Sequence, residues 1–419
     1  METSKARRRW RWKPRVWVQW LHRWVTLTLG LILLVVTTSG SLALFRFELN
    51  KLTYAHLYHV TPGAPVSLDQ AREAVRQALA SNSSMQDVRV ADLITRPGDV
   101  YQFYLRDADD HTIGSAFVDP GAGVYLGHYN SEETLWGWIA KLHYTLFSDE
   151  IEFPYPEGTP EWLTTWFGPN LAEFTLKNMG VLLMLMVLSG AYLWWPGIKK
   201  FAYGFRVRRG AQGFNWHYDW HKVLGFVSLP FLFMWALTGM GFYQPWSDWI
   251  KSGWHAATFS PIPVDAPEVF STQQERPMLS AEEIRQAALT AVPDSRFISV
   301  SMPETITGTA DIWLAHGLDS YAYGEWPGNI NVRLDVYSGA VLDNSMSRDG
   351  SVGAYLYNNW FYPVHFGYPL PWYGRLIWFL FGMMPLFLAF TGVMQWWMKR
   401  QKRRARTLRR AAVAGAAGD

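Results

Sequence analysis

Residues 21–44 read LHRWVTLTLGLILLVVTTSGSLAL, and residues 220–243 read WHKVLGFVSLPFLFMWALTGMGFY. Each begins beside a histidine, passes one basic residue, enters a long uncharged run and carries Ser/Thr-Gly near its far end. His22 stands 18 residues before Gly40, and His221 stands 18 before Gly239. Eighteen helical residues cover about 27 Å, close to the ~30 Å of bilayer hydrocarbon. Two further apolar runs, Asn178–Trp195 and Leu376–Trp397, close on similar sequences, Leu188-Ser-Gly190-Ala-Tyr-Leu-Trp194-Trp195 and Phe390-Thr-Gly392-Val-Met-Gln-Trp396-Trp397. The pattern predicts an integral membrane α-helical protein with four transmembrane helices in two repeated halves, at 23–45, 172–196, 221–244 and 373–398. Pro230 and Pro385 fall inside the third and fourth spans, where neighbouring helices can satisfy the carbonyls they free.

Whole-chain averages conceal this. Mean hydropathy is −0.06, a value that mixes apolar spans with strongly charged remainders. The segments 1–23, 199–222 and 399–410 hold 22 of the 38 Lys/Arg. With the C-terminus they hold only Glu2, Asp219 and Asp419, so this side carries +19 and the remainder −16. By the positive-inside rule, the N-terminus (1–22), the 197–220 loop and the 399–419 tail are cytoplasmic. The basic tails are thus topology signals, with no nucleic-acid partner implied. Ser41-Leu-Ala43 loosely resembles a signal-peptide cleavage site, but the apolar run exceeds the usual h-region, which predicts an uncleaved signal anchor. Tryptophans, 24 in all, cluster at the span ends, as in Trp194-Trp195 and Trp396-Trp397, and near the histidines, as membrane–water interfaces favour.

The segments 46–171 and 245–372 then face the periplasm, and they too match. Ser67–Leu79 and Ser280–Leu289 both place Ser ahead of acidic residues and a helical pattern, an N-cap arrangement. Val118-Asp119-x3-Gly123-x2-Leu126 is answered by Leu334-Asp335-x3-Gly339-x2-Leu342, each predicting a hairpin turn between strands. Each half therefore carries an inserted α+β module. Trp138-x4-His143 and Trp360-x4-His365 precede spans two and four, with an extra stretch of about 20 residues, Phe153–Pro169, in the first half.

No cysteine is present, which excludes disulfides, thiolate zinc, iron–sulfur clusters and covalently attached haem. Four of the eleven histidines recur at corresponding positions. His22 and His221 share the cytoplasmic level, and His143 and His365 share the outer one. Two imidazoles from two helices at one level suit the axial positions of one b-type haem, so two levels predict two bis-His haems. Gly190 and Gly392 fall at the depth of the first pair, Gly40 and Gly239 at that of the second, where they would admit a flat macrocycle or a close helix. His217 lies four residues before His221 on the same helical face, as an alternative ligand or a donor behind it; His221 alone keeps the 18-residue spacing. His56 and His59 lie just outside span one, a pair that is ordinarily solvated.

Leu21-His22-Arg23-Trp24, Asp219-Trp220-His221-Lys222-Val223-Leu224-Gly225, the Leu-Ser-Gly-x-Tyr-x-Trp-Trp run at 188–195 and the two outer modules resemble the PepSY-associated transmembrane helix family over essentially the whole chain. Trp220-His221-Lys222 and Lys141-Leu142-His143-Tyr144 depart from the family's Leu-His-Arg pattern without touching the histidines. The resemblance implies PepSY domains in the periplasm and an inner-membrane, haem-dependent reductase of ferric siderophores of the ferrioxamine or pyoverdine kind, acting in iron acquisition with periplasmic iron-binding or transport partners. One electron loosens a ferric siderophore, because its hard oxygen donors hold Fe(III) far more tightly than Fe(II). No G-x-G-x-x-G follows a strand, and the cytoplasmic loop is too short for a nicotinamide or flavin domain. Electrons would come from quinol or a separate reductase. Two other readings share the pattern: a non-redox PepSY membrane protein for partner binding or assembly, and a secondary transporter, against which stands the lack of a mid-span acidic side chain.

Overall fold

The structure, a computed structural model, describes residues 14–82, 85, 87–95, 98–263, 266–322, 328–347 and 350–416. The first thirteen residues of the basic N-terminal segment and the last three of the tail lie outside these. In chain order the elements are α1 (Pro14–Ala43), α2 (Arg46–Thr53), α3 (Leu68–Ala80), β1 (Arg89–Ile94), β2 (Tyr101–Arg106), β3 (Thr112–Asp119), β4 (Val124–Tyr129), α4 (Leu135–Tyr144), α5 (Glu161–Phe167) and α6 (Leu171–Trp194). They continue with α7 (Phe214–Val227), α8 (Leu229–Met240), α9 (Trp246–Ala257), α10 (Ala281–Ala291), β5 (Arg296–Ser301), β6 (Thr309–Ala315), β7 (Ile330–Asp335), β8 (Val341–Asn344), α11 (Val352–Phe366), α12 (Trp372–Gly382) and α13 (Met384–Ala416). The chain divides into a helical unit, made of the chain up to Ser41, Phe174–Met240 and the chain from Leu380, and a sheet unit, Leu42–Glu173 with Gly241–Phe379.

The helical unit is knit by Leu183 and Val187 of α6 against Leu232 and Ala236 of α8, with Leu33 of α1 and Leu388 of α13 alongside. Outward it is apolar: Leu31 is 74 % exposed, Leu188 and Phe390 each 53 %. Such a surface suits lipid rather than water. The hydroxyls on α1 bond back to carbonyls one turn earlier, Thr26 to His22, Thr37 to Leu33, Ser39 to Val35 and Ser41 to Thr37, so none needs a solvent partner. Among the described residues three helices are long and apolar enough to cross a membrane, Pro14–Ala43, Leu171–Trp194 and Trp372–Ala411. The expected third span is not a straight helix. It is the pair α7–α8, bent by 57°, and it makes a fourth crossing only if the two pieces count as one. The break falls at Ser228, whose Oγ bonds Leu224 O at 2.7 Å, two residues ahead of Pro230. Proline lacks an N–H and its ring collides with the carbonyl of the preceding turn. Pro385 likewise follows the break between α12 and α13. The tail predicted at 399–419 continues α13 as helix to Ala416, and α7 begins at Phe214, inside the predicted loop.

In the sheet unit both predicted hairpins and both predicted helices form. Helix α3 buries Leu68, Ala71, Val75 and Leu79, and α10 buries Ala281, Ile284 and Ala288, one apolar stripe each. Both open on a capping box, Ser67 with Gln70 and Ser280 with Glu283. At the turn of β3–β4, Asp119 accepts hydrogen bonds from Thr61 N, Thr61 Oγ1 and Gly121 N. At β7–β8, Asp335 accepts from Thr272, Tyr337 and Ser338 backbone N–H. Gly123 and Gly339 close these turns at φ +67° and +70°, the left-handed region that a Cβ disfavours. Burial works to raise both Asp carboxyls, but the hydrogen bonds outweigh it and hold them below the usual carboxylate range.

The two modules share one sheet. Its order is β4-β3-β2-β1-β5-β6-β7-β8, antiparallel throughout, with Leu93 opposite Val300 and Ile94 opposite Ser299 at the seam. A single hydrophobic core runs through both meanders, from Phe103 and Val118 to Val332 and Leu334. Asp69 of α3 accepts the N–H groups of Ala281 and Glu282 at 3.1 and 3.2 Å, so the first module caps the helix of the second. The extra stretch of the first half closes on itself as a compact loop: Leu171 N reaches Ile151 O at 2.9 Å, and Tyr155 Oη donates to Gly168 O at 2.7 Å.

Candidate functional site: two imidazole pairs

In the helical unit, His22 on α1 and His221 on α7 line one cavity of about 690 Å³, together with Gly190 of α6 and Gly392 of α13. This volume is in the range of cofactor sites, about 300–1,000 Å³. A Cβ on Gly190 would stand 3.7 Å from His22 Cε1, and one on Gly392 would stand 3.5 Å from His221 Cε1, so each glycine faces the imidazole that the repeat assigned to its depth.

The hydrogen bonds behind the rings fix their tautomers. His22 Nδ1 lies 2.8 Å from Ser189 Oγ, whose own proton goes to Met186 O. The hydroxyl therefore accepts, and His22 Nδ1 carries the hydrogen. His221 Nδ1 lies 3.0 Å from Leu388 O and 2.9 Å from Thr391 Oγ1. A carbonyl only accepts, and Thr391 Oγ1 donates to Phe387 O and Leu388 O, so His221 Nδ1 is protonated as well. In neutral imidazole this leaves Nε2 of both residues with its lone pair, the state a metal requires. The Ser and Thr are part of the Ser-Gly and Thr-Gly runs noted in the sequence, where attention to the glycines hid the role of the residue beside them. His217 packs edge-on against Trp216 and Phe390 with ring centroids 5.0 and 5.5 Å apart, and it is not among the residues lining the cavity.

The second pair lies in the sheet unit. His143 on α4 and His365 on α11 bring their ring centroids to 6.2 Å, tilted by 39°. Two imidazoles on opposite sides of one metal, with bonds of ~2 Å and ring centres ~1.1 Å behind each nitrogen, give about 6 Å between centroids. Phe242 stands edge-on to His365 at 5.3 Å. Desolvation, with His143 beside it, pushes His365 down to about 3. Behind His143, Leu146 and Phe147 hold φ of +51° and +52°, with Phe147 N bonded to Thr145 Oγ1 and its ring 4.9 Å from Trp138. Two successive left-handed non-glycine residues are costly and concentrate at functional sites.

Of the remaining expected residues, Gly40 lies on α1 and Gly239 on α8. His56 occupies a short 3-10 turn and His59 directly follows it. Among the described residues no three His, Asp or Glu converge as a metal site. Each imidazole pair thus suits a metal that brings its other ligands with it, as a tetrapyrrole does.

A family model described as PepSY-associated TM region matches residues 19–399. The chain belongs to that family. The match spans both imidazole pairs and both meanders, so the PepSY-associated assignment covers every element that carries a site. No curated protein matches the chain.

Proposed function

We propose that this protein is a two-haem transmembrane electron carrier that reduces ferric siderophore on the outer face of a bacterial inner membrane, releasing Fe(II). Its halves act as repeats, each contributing one imidazole to each haem: His22 and His221 on the cytoplasmic side, His143 and His365 on the periplasmic side. The observation that carries the reading is the meeting of four repeat-related histidines as two pairs, His143 and His365 at a bis-ligand separation of 6.2 Å and His22 and His221 on one cavity.

A haem held in each place would supply one-electron chemistry. The chain's own contribution is orientation. Ser189, Thr391 and the Leu388 carbonyl hold Nδ1–H of the inner imidazoles and aim their Nε2 lone pairs. Gly190 and Gly392 leave the adjoining helix faces bare. At the outer pair, Phe242 sets the plane of His365, and the strained turn at Leu146–Phe147 fixes the end of the helix that bears His143. An ion-coupled carrier would want a titrating carboxylate in its cavity, and among the described residues the cavity lining contains no Asp or Glu. The test is an absorption spectrum of the purified protein, oxidised and dithionite-reduced. We expect a b-type Soret band with two haems per chain, and reoxidation on adding ferric siderophore. A colourless protein, or full haem in a chain with all four histidines replaced by alanine, overturns the reading.

A further inference from the structure

The cavity in the helical unit is lined by two chemically distinct sets of side chains. One is apolar, among them Leu33, Leu34, Leu182, Leu183, Leu232 and Pro385. The other is cationic, Arg15, Arg23, Lys222, Lys399, Arg400 and Arg403, with Arg23 and Lys222 next in the chain to His22 and His221. Among the described residues no acidic side chain lines it, so the lining itself supplies these cations no counter-charge.

Several of the six are already engaged. Arg15 donates to the carbonyls of Leu193 and Trp195, and Lys222 donates to those of Tyr203 and Arg206. Lys399 sits over the Phe214 ring at 5.0 Å and Arg400 over Trp396 at 5.3 Å. Arg23 lies over the Trp24 ring at 5.6 Å, but it adjoins His22 and its Nε is buried with no hydrogen-bond partner among the described residues. A guanidinium nitrogen withdrawn from water without an acceptor is costly, and a carboxylate removes that cost with paired, charge-assisted bonds. Arg403 stands one helical turn beyond Lys399 on the same cavity, with its side chain exposed. An apolar chamber lined also by unneutralised guanidinium groups fits a flat, greasy ligand with acid groups along one edge. A neutral quinol would leave those charges unanswered.

We infer that Arg23 and Arg403 bind the two propionate carboxylates of the inner haem, with the apolar edge of the macrocycle toward Leu33 and Leu232. The inference rests on the haem reading above. Its test is titration of haem-depleted full-length protein, carrying H143A and H365A so that only the inner site loads, with haem and with haem whose propionates are methyl esters. Soret growth and tryptophan quenching report binding, and the chain without H143A and H365A serves as the folding control. We expect haem to bind at least tenfold more tightly than the ester. R23Q combined with R403Q should abolish that preference while leaving ester binding unchanged, and R23K should restore part of it. Equal affinities for haem and ester, or an equal loss for both in R23Q/R403Q, overturn the inference while leaving the haem reading intact. Failure of either molecule to bind overturns both.

Discussion

Single hydrogen bonds decide which imidazoles can serve. His217 and His221 share a helical face, and the sequence left both open. The structure separates them by what lies behind each ring: aromatic edges for His217 and two acceptors for His221. On the proposed function, H221A lowers the haem content from two per chain to one, whereas H217A retains two, as counted by the pyridine haemochrome. Two haems in H221A would remove His221 as a ligand. The supports also differ in redundancy. His22 Nδ1 has Ser189 alone among its hydrogen-bond partners in the described residues, while His221 keeps the Leu388 carbonyl if Thr391 is lost. S189A should therefore weaken haem retention by about 10-fold or more and T391A by clearly less, since such supporting bonds carry roughly 10–100-fold in metal affinity. A larger loss in T391A would contradict the tautomer assignment. Neither hydroxyl was legible as a support in the sequence: each donates to its own preceding turn, as a Ser or Thr in an apolar helix usually does, and only the facing helix shows that it also accepts from an imidazole.

Turns and caps were the most legible elements. Asp-x3-Gly and a Ser ahead of acidic residues are local devices: their donors and acceptors lie within a few residues, so spacing identifies the turn and the helix start, while the reciprocal bonds of Gln70 and Glu283 show only in the structure. Helix breaks were less so. Pro230 and Pro385 were visible, but whether a proline bends a helix or ends it depends on what its neighbours offer the freed carbonyls, and here both follow a break. The Asp119 and Asp335 turns carry a pH signature. Their folded carboxyls lie below the ordinary range, so their contribution is fully present above the unfolded value of ~3.9 and is lost as pH falls through the folded one. Urea unfolding of the full chain followed by circular dichroism should show stability falling below about pH 4, with a shallower acid limb in D119N/D335N. D119A should cost about 1–3 kcal/mol at neutral pH, the penalty of leaving buried donors unpaired. An unchanged acid limb in D119N/D335N would assign the acid sensitivity elsewhere.

At the scale of the molecule, the repeat suggested two separate modules, and the structure joins them into one body. The joint could not be read from the sequence because its pairing is non-local: two residue pairs and one cap link segments about two hundred positions apart, and no motif marks either partner. One core implies one cooperative unit. Ile284 is fully buried in that core, and I284A should cost about 2–5 kcal/mol. Amide exchange should then quicken in parallel at Phe103 in the first meander and Leu334 in the second. Acceleration confined to the second would show that the meanders unfold independently.

The seam between β1 and β5 also sets a timetable for manufacture. A ribosome delivers the first meander with one flank of β1 bare, and Leu93 and Ile94 stay without Val300 and Ser299 until the second half has been translated. Both imidazole pairs share this delay, since His22 precedes His221 and His143 precedes His365 by roughly half the chain. A nascent chain stalled at its midpoint thus holds a sticky strand edge and single histidines with no counterpart. Folding of the sheet unit and pairing of the imidazoles are therefore events of the completed polypeptide, possible only late and not one half at a time.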